Sequence, residues 1–270
     1  MKKAILSITA LHGWWKTTAV NALYAKLQST YSPDTHHIEI IDKLSGTPKE
    51  LSKLLLASPH PDLIKTDLPR RLRSVNTKLG WYDAMRKIDM AELYKKMDAI
   101  VAWWKNAIFI LDRGPFDAVA RKQFEMKRVQ AFAPISSISL PHEAYSDIDQ
   151  YTDIVTYGRK AESDILETFF LNVNPWVAAH SVLDRDIKEI SIFDTRGYPL
   201  PQNEEDKNAL LNNLTILGMM EQEVKQNAIR TLESSGVAAH EIITCSGYER
   251  DDPEDIVDKI ITSSKLLKDM

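Results

Sequence analysis

Short apolar runs alternate with longer amphipathic segments along the chain. The runs are largely free of charge and rich in β-branched or aromatic side chains, which is typical of buried strands in a parallel sheet. Glycine, proline and polar residues border most of them, as expected where a strand ends in a loop. The five predicted strands cover residues 4–9, 37–42, 107–111, 168–173 and 241–245.

Helical periodicity fills the intervals between these runs. Apolar side chains recur every three or four residues, the spacing of one face of an α-helix. The clearest predicted helices cover residues 17–28, 82–105, 175–187 and 210–232, and a last helix begins after Asp252. Strands that alternate with helices predict a parallel α/β sheet with helices on both faces. We therefore expect a single three-layer α/β domain over residues 1–270.

Composition agrees with one ordinary globular domain. Of the 270 residues, 44% are hydrophobic and 27% charged, which excludes a disordered chain or a coiled coil. The net charge of −4 gives no strong signal for nucleic-acid binding. No apolar stretch approaches the roughly 18 residues of a membrane-spanning helix, so no membrane partner is expected. The single Cys245 excludes an internal disulfide, and we expect a reducing, cytoplasmic location.

Charged residues follow several of the predicted strands. In an open parallel sheet, ligands bind beyond the carboxyl ends of the strands. A segment that contains Lys16 follows the first strand, and Asp42 ends the second. Asp112 and Arg113 follow the third strand, and Arg185 lies on the helix after the fourth. The predicted fold therefore brings a lysine, two acids and further cations to one edge of the sheet.

The segment after the first strand partly matches the phosphate-binding P-loop, G-x-x-x-x-G-K-[ST]. In that pattern glycines let backbone amides curl around phosphate, the lysine neutralises phosphate oxygens and the hydroxyl holds magnesium. Lys16 and Thr17 match in identity and position, and Gly13 keeps one glycine in the loop. Ala10 and Trp15 replace both defining glycines. The segment is either a degenerate P-loop or an ordinary βα turn on which the tryptophans pack.

Further short segments follow an order that is similar to a known family. Ser45-Gly46-Thr47-Pro48 follows the second strand, Asp112-Arg113 the third, and a proline-started helix with Leu183-Asp184-Arg185 the fourth. With residues 8–18, this order resembles the thymidylate kinase-like and deoxynucleoside kinase-like group of P-loop kinases, with a degenerate Walker A loop. The resemblance implies the three-layer P-loop kinase fold, a helical acceptor region at about 49–106 and a lid region at about 184–204.

The resemblance also implies ATP and Mg²⁺ as cofactors. Lys16 would bind the phosphates of ATP, and Thr17 and Asp112 would hold Mg²⁺. Asp112 and Arg113 would act on the acceptor, and Arg185 would close over the transferring phosphoryl group, which makes these three and Lys16 the implied catalytic set. The remaining ATP-binding residues would be His12, Gly13, Trp14, Trp15 and Thr18, and the acceptor would also contact Asp42 and Arg70.

Three functions stay open from the sequence. The leading hypothesis is an ATP-dependent kinase whose partner is a nucleoside, nucleoside monophosphate or related nucleotide. The lost glycines favour a pseudokinase that serves as a binding or assembly module, and a P-loop kinase for a small non-nucleotide metabolite shares every feature. Structural alternatives are open too: Asp112 and Arg113 as a plain ion pair, and Arg70 on a solvated helix face. A homodimer is expected by analogy only.

Overall fold

The computed structural model describes residues 2–11, 16–41, 93–103, 105–112, 165–189, 201–234 and 238–270, together with residues 116, 117, 120 and 124. Most of the expected acceptor region and residues 190–200 of the expected lid lie outside the described residues. The division of the chain into these regions therefore stays a prediction.

Five parallel strands form one sheet, as predicted. In space they follow the order β2-β3-β1-β4-β5, and every neighbouring pair is parallel. Strands β3 and β4 are buried almost throughout, because helices cover both of their faces and their sequences are mainly apolar. The strands are β1 (Lys3–Ala10), β2 (His36–Ile41), β3 (Asn106–Asp112), β4 (Leu166–Asn172) and β5 (Ala239–Ile243).

The described helices match the predicted pattern, with one short helix added at the end of the chain. Proline begins two of them, and the Asp252 side chain caps the second by accepting from the backbone N–H of Glu254 at 2.9 Å. Residues 93–102 are also helical. The helices are α1 (Lys16–Thr30), α2 (Pro175–Glu189), α3 (Glu204–Ser234), α4 (Pro253–Ser263) and α5 (Lys265–Asp269). No helix among the described ranges has both the length and the apolar character needed to cross a bilayer.

Helix α3 and the helical residues 93–102 cover one face of the sheet. Lys3 and Thr9 lie on the same face of β1, because side chains alternate along a strand. Lys3 pairs with Asp98 of the helical residues 93–102, and Thr9 accepts a hydrogen bond from Lys225 of α3. This face is called the α3 face below.

Helices α1 and α4 cover the other face, which is called the α1 face below. Glu167 of β4 is in register with Leu6 of β1, which lies on the opposite face from Thr9. The Glu167 carboxylate accepts a hydrogen bond from the Ser264 hydroxyl, between α4 and α5, and α1 packs against α4. The sheet and its two helical faces form the expected three layers.

The fifth strand and Cys245 differ from the prediction. Strand β5 ends at Ile243, and Cys245 instead begins a small antiparallel hairpin of β6 (Cys245–Ser246) and β7 (Glu249–Arg250). Gly247 has a φ of +66°, a conformation that glycine adopts without strain, so the chain can reverse there. Cys245 is half-buried, and its sulfur accepts from the backbone N–H of Asn174 at 3.2 Å.

The C-terminal helix α5, which the sequence pattern did not predict, is fixed to the sheet by Glu167. This carboxylate is fully buried and accepts from the backbone N–H groups of Lys265 at 2.7 Å and Leu266 at 3.3 Å, and from the Ser264 hydroxyl. The Nε2 atom of His240 lies within hydrogen-bond distance of the same carboxylate, at 3.3 Å. Burial alone raises the pKa of Glu167, but these hydrogen bonds together outweigh it and hold the pKa below its usual value.

Candidate active site

A buried ion pair joins the carboxyl ends of β1 and β3. Lys16 is the first residue of α1, which follows β1, and Asp112 is the last residue of β3. The strands are neighbours, and Asp112 is in register with Ile8 on the α1 face. The Lys16 ammonium contacts one carboxylate oxygen of Asp112, and the two residues are only 8% and 6% exposed. The fold thus places opposite charges where little water reaches them.

Thr17 completes this group of three side chains. Its hydroxyl donates to the second carboxylate oxygen of Asp112 at 2.9 Å. Thr17 is exposed, whereas Lys16 and Asp112 are buried, so the group opens to solvent on the threonine side. Removing one member of a buried pair such as Lys16 and Asp112 typically costs about 3–5 kcal/mol, because the remaining charge is left without compensation.

The first turn of α1 favours an anion near this group. The first backbone N–H groups of a helix have no partner within the helix, and the helix dipole places partial positive charge there. The first turn of α1 carries no acidic side chain to occupy that position. A phosphate at this end would meet both the backbone N–H groups and the Lys16 ammonium.

The side chains present fit a magnesium ion that is ligated partly by the protein and partly by a phosphate. Asp112 offers carboxylate oxygens and Thr17 a hydroxyl oxygen, which are the hard ligands that Mg²⁺ prefers. Within the described ranges, no group of three or more His, Cys, Asp or Glu side chains could hold a metal by itself. Mg²⁺ is commonly held by one or two protein ligands together with substrate phosphates, and this donor set matches that arrangement.

The predicted site residues fall into two groups. Lys16, Thr17 and Asp112 lie in contact with one another, and Thr18 lies exposed on the same first turn of α1. Arg185 lies within α2. The predictions for His12, Gly13, Trp14, Trp15, Asp42, Arg70 and Arg113 fall outside the described residues.

A second polar cluster lies on the α3 face, beside the end of β1, and the sequence reasoning missed it. Lys225 of α3 is 4% exposed, and its ammonium donates to the backbone carbonyl of Ala10 at 2.5 Å and to the hydroxyl of Thr9 at 3.1 Å. It lies 3.4 Å from Asp117 and 3.3 Å from Glu221. The available signal was a lysine and a glutamate, four residues apart, within the apolar stripe of a predicted helix.

Aromatic side chains at the same edge of the sheet are also exposed. Trp176 follows β4 and is 41% exposed, and Tyr248 in the β6–β7 turn is 71% exposed. Their ring centroids are 5.2 Å apart in a T-shaped arrangement, and the ring centroid of His180 lies 3.9 Å from that of Trp176. The carboxyl edge thus carries an aromatic surface as well as the ion pair.

No family model matches the sequence, and no curated protein matches it. Among solved structures, the chain is similar to the crystal structure of thymidylate kinase from Ehrlichia chaffeensis. The two chains are 13% identical with a TM-score of 0.46, over 97% of this chain and 98% of the thymidylate kinase. A likeness at this level assigns no function.

Proposed function

We propose that this protein is an ATP-dependent, magnesium-requiring phosphotransferase that acts on a nucleoside, a nucleoside monophosphate or a related nucleotide. One observation carries the proposal: the buried Lys16–Asp112 pair, joined by the Thr17 hydroxyl, at the carboxyl edge of a parallel sheet. A lysine and a hydroxyl at the start of the helix after the first strand, beside a carboxylate at the end of β3, suit a nucleoside triphosphate and its metal.

Each of these side chains has a role in binding the phosphates. Lys16 supplies a compact positive charge for the β- and γ-phosphate oxygens, and the first turn of α1 supplies backbone donors. Thr17 and Asp112 are the protein ligands for Mg²⁺, which neutralises phosphate charge when bound. Because little covalent chemistry is asked of the protein in phosphoryl transfer, positioning and charge account for most of the catalysis.

The ion pair makes nucleotide binding depend on the metal. Lys16 contacts Asp112, so a phosphate that attracts the ammonium competes with this carboxylate. When Lys16 turns to phosphate, Asp112 keeps a negative charge close to the phosphates, and a divalent cation must compensate it. We therefore expect ATP with Mg²⁺ to bind at least tenfold more tightly than ATP alone, which corresponds to about 1.4 kcal/mol.

The other charged residues have roles around the acceptor and the phosphoryl group. Asp112 or Asp42 assists the acceptor oxygen, Arg113 and Arg70 hold the acceptor, and Arg185 closes over the phosphoryl group. The acceptor lies between residues 49–106 and the end of β3, and two copies of the chain pair through helices. A cytoplasmic location agrees with the single cysteine.

A pseudokinase is the second candidate function, and two observations favour it. Lys16 and Asp112 neutralise each other in the structure, and the glycine positions of the loop hold Ala10 and Trp15. Such a protein would keep the fold as a binding or assembly module without phosphoryl transfer. It predicts that no nucleoside or nucleotide acceptor is phosphorylated.

Thermal denaturation with Mg-ATP, Mg-ADP or ATP with EDTA tests the proposal. A ligand at 100 times its dissociation constant stabilises the folded state by about 2.7 kcal/mol, a rise of a few degrees for a chain of this size. The rise should be lost in Lys16→Met and kept in Lys26→Met, which removes an exposed lysine from the same helix. No rise for folded wild-type protein at millimolar Mg-ATP would overturn the phosphotransferase and favour the pseudokinase. Binding without acceptor phosphorylation would also leave the pseudokinase.

A further inference from the structure

Lys225 is a buried cation to which the proposed function gives no role. It lies on α3, on the opposite face of the sheet from Lys16, so the sheet itself separates its ammonium from the ion pair of the candidate site. Lysine is almost never fully buried unless its charge is compensated. The contacts of this one therefore indicate what it holds in place.

The ammonium of Lys225 lies among four oxygen atoms. It donates to the Ala10 carbonyl at 2.5 Å and the Thr9 hydroxyl at 3.1 Å, and the carboxylates of Asp117 and Glu221 lie at 3.4 and 3.3 Å. The Thr9 hydroxyl itself donates to Asp117 at 2.6 Å. Two acids, a hydroxyl and a main-chain carbonyl thus compensate one buried lysine, and the lysine ties α3 to the end of β1.

The contact with Ala10 matters because of where Ala10 stands in the chain. It is the last residue of β1, and Lys16 begins α1 only six positions later. The short connection between them therefore has both ends held by buried lysines, Ala10 by Lys225 and Lys16 by its own pair with Asp112. Where a P-loop has glycine as the first residue of its pattern, this chain has Ala10, whose carbonyl Lys225 binds from the other face of the sheet.

We propose that Lys225 is a positioning residue for the β1–α1 connection: it fixes the point at which the chain leaves the sheet and so the place where phosphate binds. The first part stands on the contacts of Lys225, and the second rests on the proposed function. Lys225 itself does not contact the nucleotide. Without Lys225, the end of β1 is free to move. The affinity for nucleotide then falls, because part of the binding free energy is used to order the end of β1 again.

The test uses the double variant Lys225→Met with Asp117→Asn. Removing Lys225 alone leaves buried carboxylates uncompensated and endangers folding, whereas the double change removes one charge of each sign and keeps the net charge of the cluster. Lys207→Met is the matched control, since it removes a lysine from the exposed start of the same helix. Amide hydrogen exchange is measured on the free proteins, and the dissociation constant of Mg-ATP is measured on each.

We expect amide exchange at Thr9–Leu11 to be about tenfold faster in the double variant, with exchange in β5 and α1 unchanged. The dissociation constant of Mg-ATP should also rise about tenfold. Both changes correspond to the loss of one hydrogen bond to a charged group. Lys207→Met should change neither. Unchanged exchange at Thr9–Leu11, or equally faster exchange throughout the sheet, overturns the proposal. Faster local exchange with unchanged affinity overturns its second part.

The experiment also covers a wild-type protein that binds no Mg-ATP and a double variant that does not fold. If wild-type protein binds no Mg-ATP, the proposed function fails, and the exchange data alone still decide whether Lys225 positions the connection. If the double variant does not fold, Thr9→Val replaces it, because this change removes one of the four oxygens around the ammonium. We then expect about threefold faster exchange at Thr9–Leu11, less than for losing a full charged hydrogen bond, and no change overturns the proposal.

Discussion

Two buried carboxylates on the same face of the sheet are neutralised in different ways. Asp112, at the end of β3, meets only side-chain groups among its described partners, the Lys16 ammonium and the Thr17 hydroxyl. Glu167, on β4, meets the backbone N–H groups of Lys265 and Leu266 at the start of α5, in addition to the Ser264 hydroxyl and the His240 ring. Side-chain partners can change partner without unfolding a helix, whereas backbone partners cannot. The first carboxylate is therefore suited to exchange a cation during binding, and the second to hold the chain together.

The largest expected loss of stability comes from breaking the ion pair of Lys16 and Asp112. Lys16→Met should destabilise the protein by about 3–5 kcal/mol, because Asp112 is left buried without its cation. Adding Asp112→Asn should recover most of that loss, since no buried charge remains. Urea unfolding of both single variants and the double variant gives the coupling energy. A loss in the double variant equal to the sum of the losses in the two single variants would show that the two side chains contribute independently.

The double variant should regain stability without regaining the ability to bind Mg-ATP. The Lys16→Met, Asp112→Asn variant lacks both the phosphate cation and the metal ligand, so we expect no stabilisation of it by Mg-ATP. A double variant that binds Mg-ATP like the wild type would contradict the proposed site.

A smaller loss is expected at Glu167. Glu167→Gln should cost about 2–3 kcal/mol, because the amide donates hydrogens toward backbone N–H groups and loses charge-assisted hydrogen bonds. The measurement is urea unfolding, with Glu254→Gln on the exposed start of α4 as the control. In contrast to the variants of the ion pair, the affinity for Mg-ATP should remain unchanged wherever the protein is folded. A changed affinity would remove the distinction between the two carboxylates.

The smallest expected effect is on the pH dependence of stability. The folded-state pKa of Glu167 lies below its ordinary value of 4.5, so its contribution is complete above the unfolded-state pKa and is lost as the pH falls through the folded-state pKa. The difference in unfolding free energy between wild type and Glu167→Gln should therefore shrink as the pH falls below about 4.5. A difference that stays constant down to pH 3 would exclude the carboxylate as its source.

The sequence predicted the middle of the sheet well because β1, β3 and β4 are buried on both faces. The interior of a strand such as β3 is apolar, and that pattern differs clearly from the helical periodicity around it. The proximity of Lys16, Thr17 and Asp112 could be inferred because Asp112 ends β3 and Lys16 and Thr17 begin the helix that follows β1, and the carboxyl ends of parallel strands meet at one edge.

Long-range contacts explain what the sequence did not reveal. Lys225 reaches Ala10 across more than two hundred residues of chain, and neither position shows this when read locally. The short helix α5 has too few residues to form by propensity alone. Besides its N-cap, Ser264, it depends on the distant Glu167 carboxylate, which accepts from the backbone N–H groups of Lys265 and Leu266. The hairpin after β5 turns at a single glycine, and a stretch of isoleucine, threonine and cysteine there reads as one continuing strand.

The attachment of α5 to Glu167 has a consequence for synthesis of the protein. The ribosome makes β4 about a hundred residues before it makes Ser264, Lys265 and Leu266. At 5–20 residues per second, the nascent chain therefore spends several seconds or more with this carboxylate lacking these three hydrogen-bond donors. Burying the charge without them costs free energy, so we expect the α1 face to close over Glu167 only after residues 264–266 have been made.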